Sequence, residues 1–98
     1  MTSVELLALG EVALGDGDHA GAIAAFRKAA YLDGDHPIAH LNLGLALEAS
    51  GDAVAARRAF VAARAALDRR DTAVVEAMLE GYHLDELVRL LDRKAEAE

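Results

Sequence analysis

Two stretches of this chain, 9–29 and 43–63, match one another at a constant spacing, and this internal repeat constrains the fold more than any other feature. Self-similarity of this kind is typical of architectures in which one supersecondary unit stacks on the next. The matched positions hold small, aromatic or turn-forming residues. The pairs are Leu9 and Leu43, Gly10 and Gly44, Gly17 and Gly51, Asp18 and Asp52, Ala22 and Ala56, Ala25 and Ala59, Phe26 and Phe60, and Ala29 and Ala63.

Each matched position has a physical role in a pair of antiparallel helices. In the first unit, Gly10 allows two helices to approach closely, and Phe26 fills the space between them. Gly17 stands where the first helix ends, a position that favours left-handed backbone. Asp18 can cap the second helix by accepting from its free N–H groups. The second unit repeats all four roles.

The sequence therefore predicts an all-α protein in a single domain, residues 1–98, with few strand-forming windows. The first repeat covers about 3–36, the second about 37–70, and a degenerate unit with a capping helix covers about 71–98. Apolar residues Leu84, Leu87, Val88 and Leu91 form one face of that last helix, which covers the end of the stack. The predicted helices are 3–15, 19–32, 37–49, 53–68, 72–80 and 84–96.

The period and the matched residue types resemble the tetratricopeptide repeat (TPR), whose unit is about 34 residues long. That family has Leu-Gly in its first helix, Gly-Asp in the turn and Ala-aromatic-Ala in its second helix. Departures occur where the family usually has Trp (Leu6, His40) or Tyr (Ala13, Leu47). The resemblance implies an antiparallel helix–turn–helix α-solenoid of about two full repeats, which binds another protein and is not itself an enzyme.

One segment is similar to a narrower family, the C-terminal repeat region of CheR-type chemotaxis methyltransferases. It is residues 31–44, Tyr-Leu-Asp-Gly-Asp-His-Pro-Ile-Ala-His-Leu-Asn-Leu-Gly. Gly34, Leu41 and Asn42 stand where that family has Pro, Phe and His. This resemblance implies a regulatory extension that docks chemotaxis-type signalling proteins, without the catalytic domain. A free-standing TPR adaptor and a self-associating structural module remain alternatives.

In TPR folds the first helix of each repeat lines a concave face, and the resemblance carries this face to specific positions. The groove would accept a helix or an extended peptide of a partner. A second arrangement remains open, in which Leu7, Leu41 and Leu45 are buried by the final helices of the chain itself. The predicted groove residues are Leu7, Glu11, Ile38, Leu41, Asn42, Leu45 and Glu48, with Val4 and Ala8 beside them.

Charge excludes several classes of partner. The formal net charge of −7 disfavours nucleic acid and anionic membrane surfaces. No apolar run is long enough to insert into a membrane, and the N-terminus lacks a basic leader, so a cytoplasmic location is predicted. Five arginines are candidates for docking an acidic partner, although pairing with nearby acids on a solvated face is the favoured interpretation. They are Arg57, Arg58, Arg64, Arg69 and Arg70.

Catalytic and metal sites find little support. His36 and His40 have the spacing of zinc ligands but lack a third ligand, so packing is favoured for His40. No nucleophile and base stand at a defined spacing, and the chain has no cysteine. We therefore predict no catalytic residue, no cofactor and no metal, and a monomer or weak homodimer.

Overall fold

The computed structural model describes residues 1–70, 72–79 and 81–96, and these residues form helices joined by turns, without a strand. The predicted all-α class is confirmed. Helix α4 runs one residue further than predicted, and α5 ends at residue 78. The unit boundary at residue 71 and the predicted end of the fifth helix at residue 80 lie outside the described residues. The helices are α1 (Ser3–Gly15), α2 (His19–Leu32), α3 (Pro37–Ala49), α4 (Ala53–Arg69), α5 (Thr72–Met78) and α6 (Leu84–Glu96).

The turns α1–α2 and α3–α4 have the same backbone structure. Gly17 and Gly51 have φ of +79° and +92°, values that residues with a side chain rarely adopt. The Gly17 N–H donates to the Leu14 carbonyl at 3.1 Å, and the Asp18 N–H to the Ala13 carbonyl at 2.8 Å. The equivalent groups of the second hairpin form the same pair of bonds. This pair of hydrogen bonds is the Schellman motif that ends a helix. Each glycine therefore ends one helix and reverses the direction of the chain.

Side-chain caps begin the helices that follow these turns. Asp18 accepts from the Gly21 backbone N–H at 3.0 Å, and Asp52 accepts from that of Ala55 at 3.1 Å. At the start of α1, the side chains of the N-cap threonine and of Glu5 form a capping box, in which each accepts from the other's backbone N–H. These bonds satisfy donors that helix geometry leaves without a partner.

In each hairpin, a glycine of the first helix packs against a phenylalanine of the second helix. A Cβ atom added to Gly10 would lie 2.5 Å from the Phe26 ring, and one added to Gly44 would lie 2.5 Å from the Phe60 ring. Both rings are almost fully buried, with exposures of 0% and 1%. The ring therefore packs directly on the backbone of the partner helix, at a distance that only glycine permits.

The hairpins pack on one another through their neighbouring helices. Helix α2 packs on α3, and α6 packs on α4. One cluster of buried apolar side chains includes residues from all six helices. Leu87 and Leu91 of α6 are fully buried in it, so the amphipathic face predicted for this helix is the face that packs inward.

Two ion pairs join the end of α4 to the turn between α2 and α3. Arg69 Nε lies 2.7 Å from Asp35 Oδ1, and Arg70 pairs with Asp33. These contacts connect residues far apart in sequence, and the charges of Asp33 and Arg70 act on the nearby His36, which is buried.

His36 caps helix α3 with its imidazole ring. The Ala39 N–H donates to His36 Nδ1 at 3.3 Å, which requires the ring nitrogen to be unprotonated. Burial lowers the pKa of His36 from its ordinary value of 6.5, with Asp33 opposing this shift. The cap and the burial therefore both favour the neutral ring.

We predict that Gly44→Ala destabilises the fold. The new methyl group would overlap the Phe60 ring, and overpacking of this kind costs about 1–3 kcal/mol even though alanine favours helix. Gly15→Ala is the matched control, because its Cβ would meet no atom within 4 Å. Urea unfolding followed by circular dichroism should show a lower free energy of unfolding for Gly44→Ala only. Equal effects of the two substitutions would contradict the proposed contact.

We also predict a pH dependence of stability that His36 causes. Because the folded state binds the proton more weakly than the unfolded chain, the free energy of unfolding should fall as the pH drops below 6.5. His36→Asn keeps a capping side chain but does not titrate in this range. Urea midpoints at pH 7.5 and at pH 5.5 should therefore differ less in His36→Asn than in the original chain. The same difference in both proteins would exclude His36 as the cause.

Candidate functional site

Most of the predicted concave groove lies inside the protein. Four of the seven predicted groove residues are buried, whereas Leu45 is half-buried and Glu11 and Glu48 are exposed. A fully buried side chain cannot contact a partner while the helices stay packed, so the buried positions act here as core. The buried groove residues are Leu7, Ile38, Leu41 and Asn42.

The loop before α6 lies beside part of the predicted groove. Gly81 and Tyr82, in the loop before α6, line one shallow depression together with Glu11 and Asn42. The alternative in which the final helices bury Leu7, Leu41 and Leu45 stays a hypothesis. Partner binding at Glu11, Leu45 and Glu48 stays a prediction.

The five predicted arginines divide into two groups. Arg64 lies 2.8 Å from Asp68 and 2.9 Å from Asp92, and hydrogen bonds to these carboxylates raise its pKa. The two arginines at the end of α4 form the ion pairs with the α2–α3 turn described above. Arg64, Arg69 and Arg70 are therefore paired with nearby acidic side chains, as the favoured interpretation of the sequence expected. Arg57 and Arg58 lie apart from them, beside an apolar groove.

This groove, here called the α4 groove, lies between α4, the end of α3 and the end of α6, and has a volume of 630 Å³. The side chains of Ala56 and Phe60 are buried and form its floor. Val54 and Val61 are 65% and 47% exposed, which is high for valine side chains lining one groove. Its lining residues are Glu48, Ala53, Val54, Ala56, Arg57, Arg58, Phe60, Val61 and Lys94.

The rim of the α4 groove carries an excess of positive charge. Lys94 Nζ lies 2.8 Å from Glu48 and 5.5 Å from the centre of the Phe60 ring, so its charge is balanced and its position held. Arg57 Nε donates to the Ala95 carbonyl at 2.7 Å, and this neutral acceptor does not balance the guanidinium charge. Arg57 and Arg58 therefore give this groove a positive rim in a chain whose net charge is −7.

The two groove valines were not among the residues predicted from sequence. Val54, Arg58 and Val61 stand at i, i+4 and i+7, the spacing that places side chains on one helix face. At the corresponding positions the first unit has Ala20, Ala24 and Arg27. The two valines therefore have no counterpart in the first unit. Positions that match between the two units do not include them.

Two histidines make structural hydrogen bonds. His36 is a helix cap, and His40 Nε2 donates to the Gly34 carbonyl at 2.7 Å. No group of three or more His, Asp or Glu side chains described in the structure is arranged to hold a metal ion. Among the described helices, none combines the length and apolar character needed to cross a membrane.

Comparison with protein-family models, with curated proteins and with solved structures finds no match to this chain. The geometry and charge of the α4 groove are therefore the observations on which a function can be proposed.

Proposed function

We propose that this chain is a protein-interaction module and that the α4 groove binds an acidic amphipathic segment of its partner. The observation that carries this proposal is the combination of exposed valines with two arginines on one face of α4. Apolar contact supplies affinity, and opposite charge selects the partner and its orientation.

The spacing of the groove defines what the partner must present. Val54 and Val61 stand at i and i+7, which places them about 10.5 Å apart along the helix axis. A partner helix with apolar side chains at i and i+7 can reach both valines, and acidic residues between them can reach Arg58 and Arg57. An extended strand could also span this distance, but its alternating side chains fit a helical surface less closely.

We further propose that the two hairpins are TPR units. The Schellman turns, the aspartate caps and the glycine–phenylalanine contacts recur at equivalent positions of both hairpins, which supports two copies of one structural unit. Repeat proteins of this kind use their surfaces for binding, which supports an interaction module as the role of two stacked hairpins.

A narrower proposal concerns the partner class. The resemblance of residues 31–44 to the repeat region of chemotaxis methyltransferases favours docking to signalling proteins of that pathway. Purified chemoreceptor cytoplasmic fragments and response regulators can be titrated against the labelled chain. We expect one of them to bind saturably, with weaker binding to an Arg58→Glu variant. Absence of saturable binding to every one of them would remove the chemotaxis proposal and leave the wider one intact.

We predict that the α4 groove binds a designed acidic helix. The probe is a fluorescein-labelled peptide with leucine at i, i+4 and i+7 and glutamate at the other surface positions. Fluorescence anisotropy should show binding that weakens with salt, because the rim charges are exposed. Val54→Glu and Arg58→Glu should each weaken it at least tenfold, or by about 1.4 kcal/mol.

Tyr31→Glu is the matched control for these variants, because Tyr31 is 87% exposed on α2, away from the groove. It introduces the same acidic side chain and should leave peptide affinity unchanged. A peptide with lysine in place of glutamate should bind more weakly than the acidic one. If the groove variants bind the acidic peptide as well as Tyr31→Glu does, the α4 groove is not the binding site.

A further inference from the structure

Helix α1 presents an apolar face to solvent. Val4, Leu9 and Val12 are 70%, 52% and 63% exposed, and Glu5 and Ala8 lie exposed among them. These five residues are here called the outer face of α1. Glu5, Leu9 and Val12 stand at i, i+4 and i+7, so they share one side of the helix.

The equivalent face of α3 is buried in the same chain. Every residue of the outer face of α1 is exposed, whereas every residue at the corresponding position of α3 is buried. Helix α3 differs from α1 in having a preceding hairpin, which packs on it through α2. Burial of this face in α3 therefore accompanies the presence of a preceding hairpin. The pairs are Val4 and Ile38, Glu5 and Ala39, Ala8 and Asn42, Leu9 and Leu43, and Val12 and Ala46.

The charges of α1 and of the α4 groove are complementary. The segment 1–26, which holds α1, contains acidic residues but no lysine or arginine. The α4 groove carries Arg57 and Arg58 on its rim. Val4 and Val12 are eight residues apart, about 12 Å along the helix axis, which is close to the roughly 10.5 Å between the groove valines, and Glu5 lies on the same face.

We propose that the outer face of α1 in one copy binds the α4 groove of a second copy, so that chains associate head to tail. This inference rests on the proposed function and names a partner for the same groove. Helix α4 is the second helix of its hairpin and α1 is the first helix of its own. The α2 positions equivalent to Val54 and Val61, Ala20 and Arg27, are exposed although α2 packs on α3, so this contact would use a face of α4 different from the one that continues the stack.

Head-to-tail association has a recognisable signature. The two surfaces in contact differ, so each added copy leaves one outer face and one α4 groove free for the next. The average mass should therefore rise with concentration without stopping at a dimer, unless a ring closes. Added salt should reduce it, because the charges that select this pairing are exposed.

Two variants test the proposal by mixing. Leu9→Lys should prevent binding through the outer face of α1, because it places a positive charge against the positive rim of the groove. Val61→Glu should prevent binding through the α4 groove, because it places a negative charge against the acidic helix. Light scattering should find each variant monomeric alone. An equimolar mixture should form a heterodimer of twice the monomer mass, because each variant retains the surface that the other lacks.

Tyr31→Lys is the control, since it places a charge on an exposed residue of α2 and should associate like the original chain. Circular dichroism should show the same helix content in all three variants. A dimer that Leu9→Lys breaks but Val61→Glu does not would mean symmetric pairing of two α1 helices, and it would overturn the proposal. Failure of the mixture to form a heterodimer would also overturn it.

The failure of this inference can be separated from failure of the proposed function. If the original chain stays monomeric at every concentration while the acidic peptide binds its groove, the groove serves a different protein and only the head-to-tail proposal is lost. If the peptide also fails to bind Leu9→Lys, whose groove is intact, the groove is not a protein-binding site and both proposals are lost.

Discussion

The contact between a helix backbone and a phenylalanine ring is the constraint on which this structure depends. Because Gly10 and Gly44 have no side chain, the rings of Phe26 and Phe60 pack directly on the backbone of the facing helix. The buried alanines around each ring are small enough to keep the helices at that distance. The hairpin is therefore held by one large side chain and several small ones, and the same solution occurs twice.

The helices could be predicted from sequence because their ends carry local signals. Gly17, Asp18 and their counterparts act through bonds to nearby residues, so their effect does not depend on the rest of the fold. Pro37 marks the start of α3 in the same way. The cap before it was different, because His36 was considered only as a candidate zinc ligand. In the structure its ring caps α3 near Asp33 and Arg70, which form one of the two ion pairs at the end of α4. Those pairs join residues distant in sequence, which no local pattern records.

The surfaces were harder to predict than the helices because an apolar residue has the same identity whether it is covered or exposed. Leu41 and Val54 illustrate the two outcomes, since the first is fully buried and the second is mostly exposed. What decides between them is which helices pack over each residue, and that packing joins segments distant in sequence. The first helix of each repeat has similar apolar content, yet α3 packs on a preceding hairpin and α1 begins the stack. The outer face of α1 therefore cannot be recognised until the packing order is known.

The central position of α3 has a consequence for how the chain opens. Helix α3 has packed neighbours before and after it, whereas α1 belongs to a hairpin with a neighbour on one side. In stacked repeats each unit is stabilised by its contacts with adjacent units, so we expect the first hairpin to exchange its amide hydrogens through local opening more readily than the centre. A partner that covers the outer face of α1 would convert this end into an interior unit and slow that exchange. The first hairpin is thus also the part of the chain whose dynamics report on whether a partner is bound.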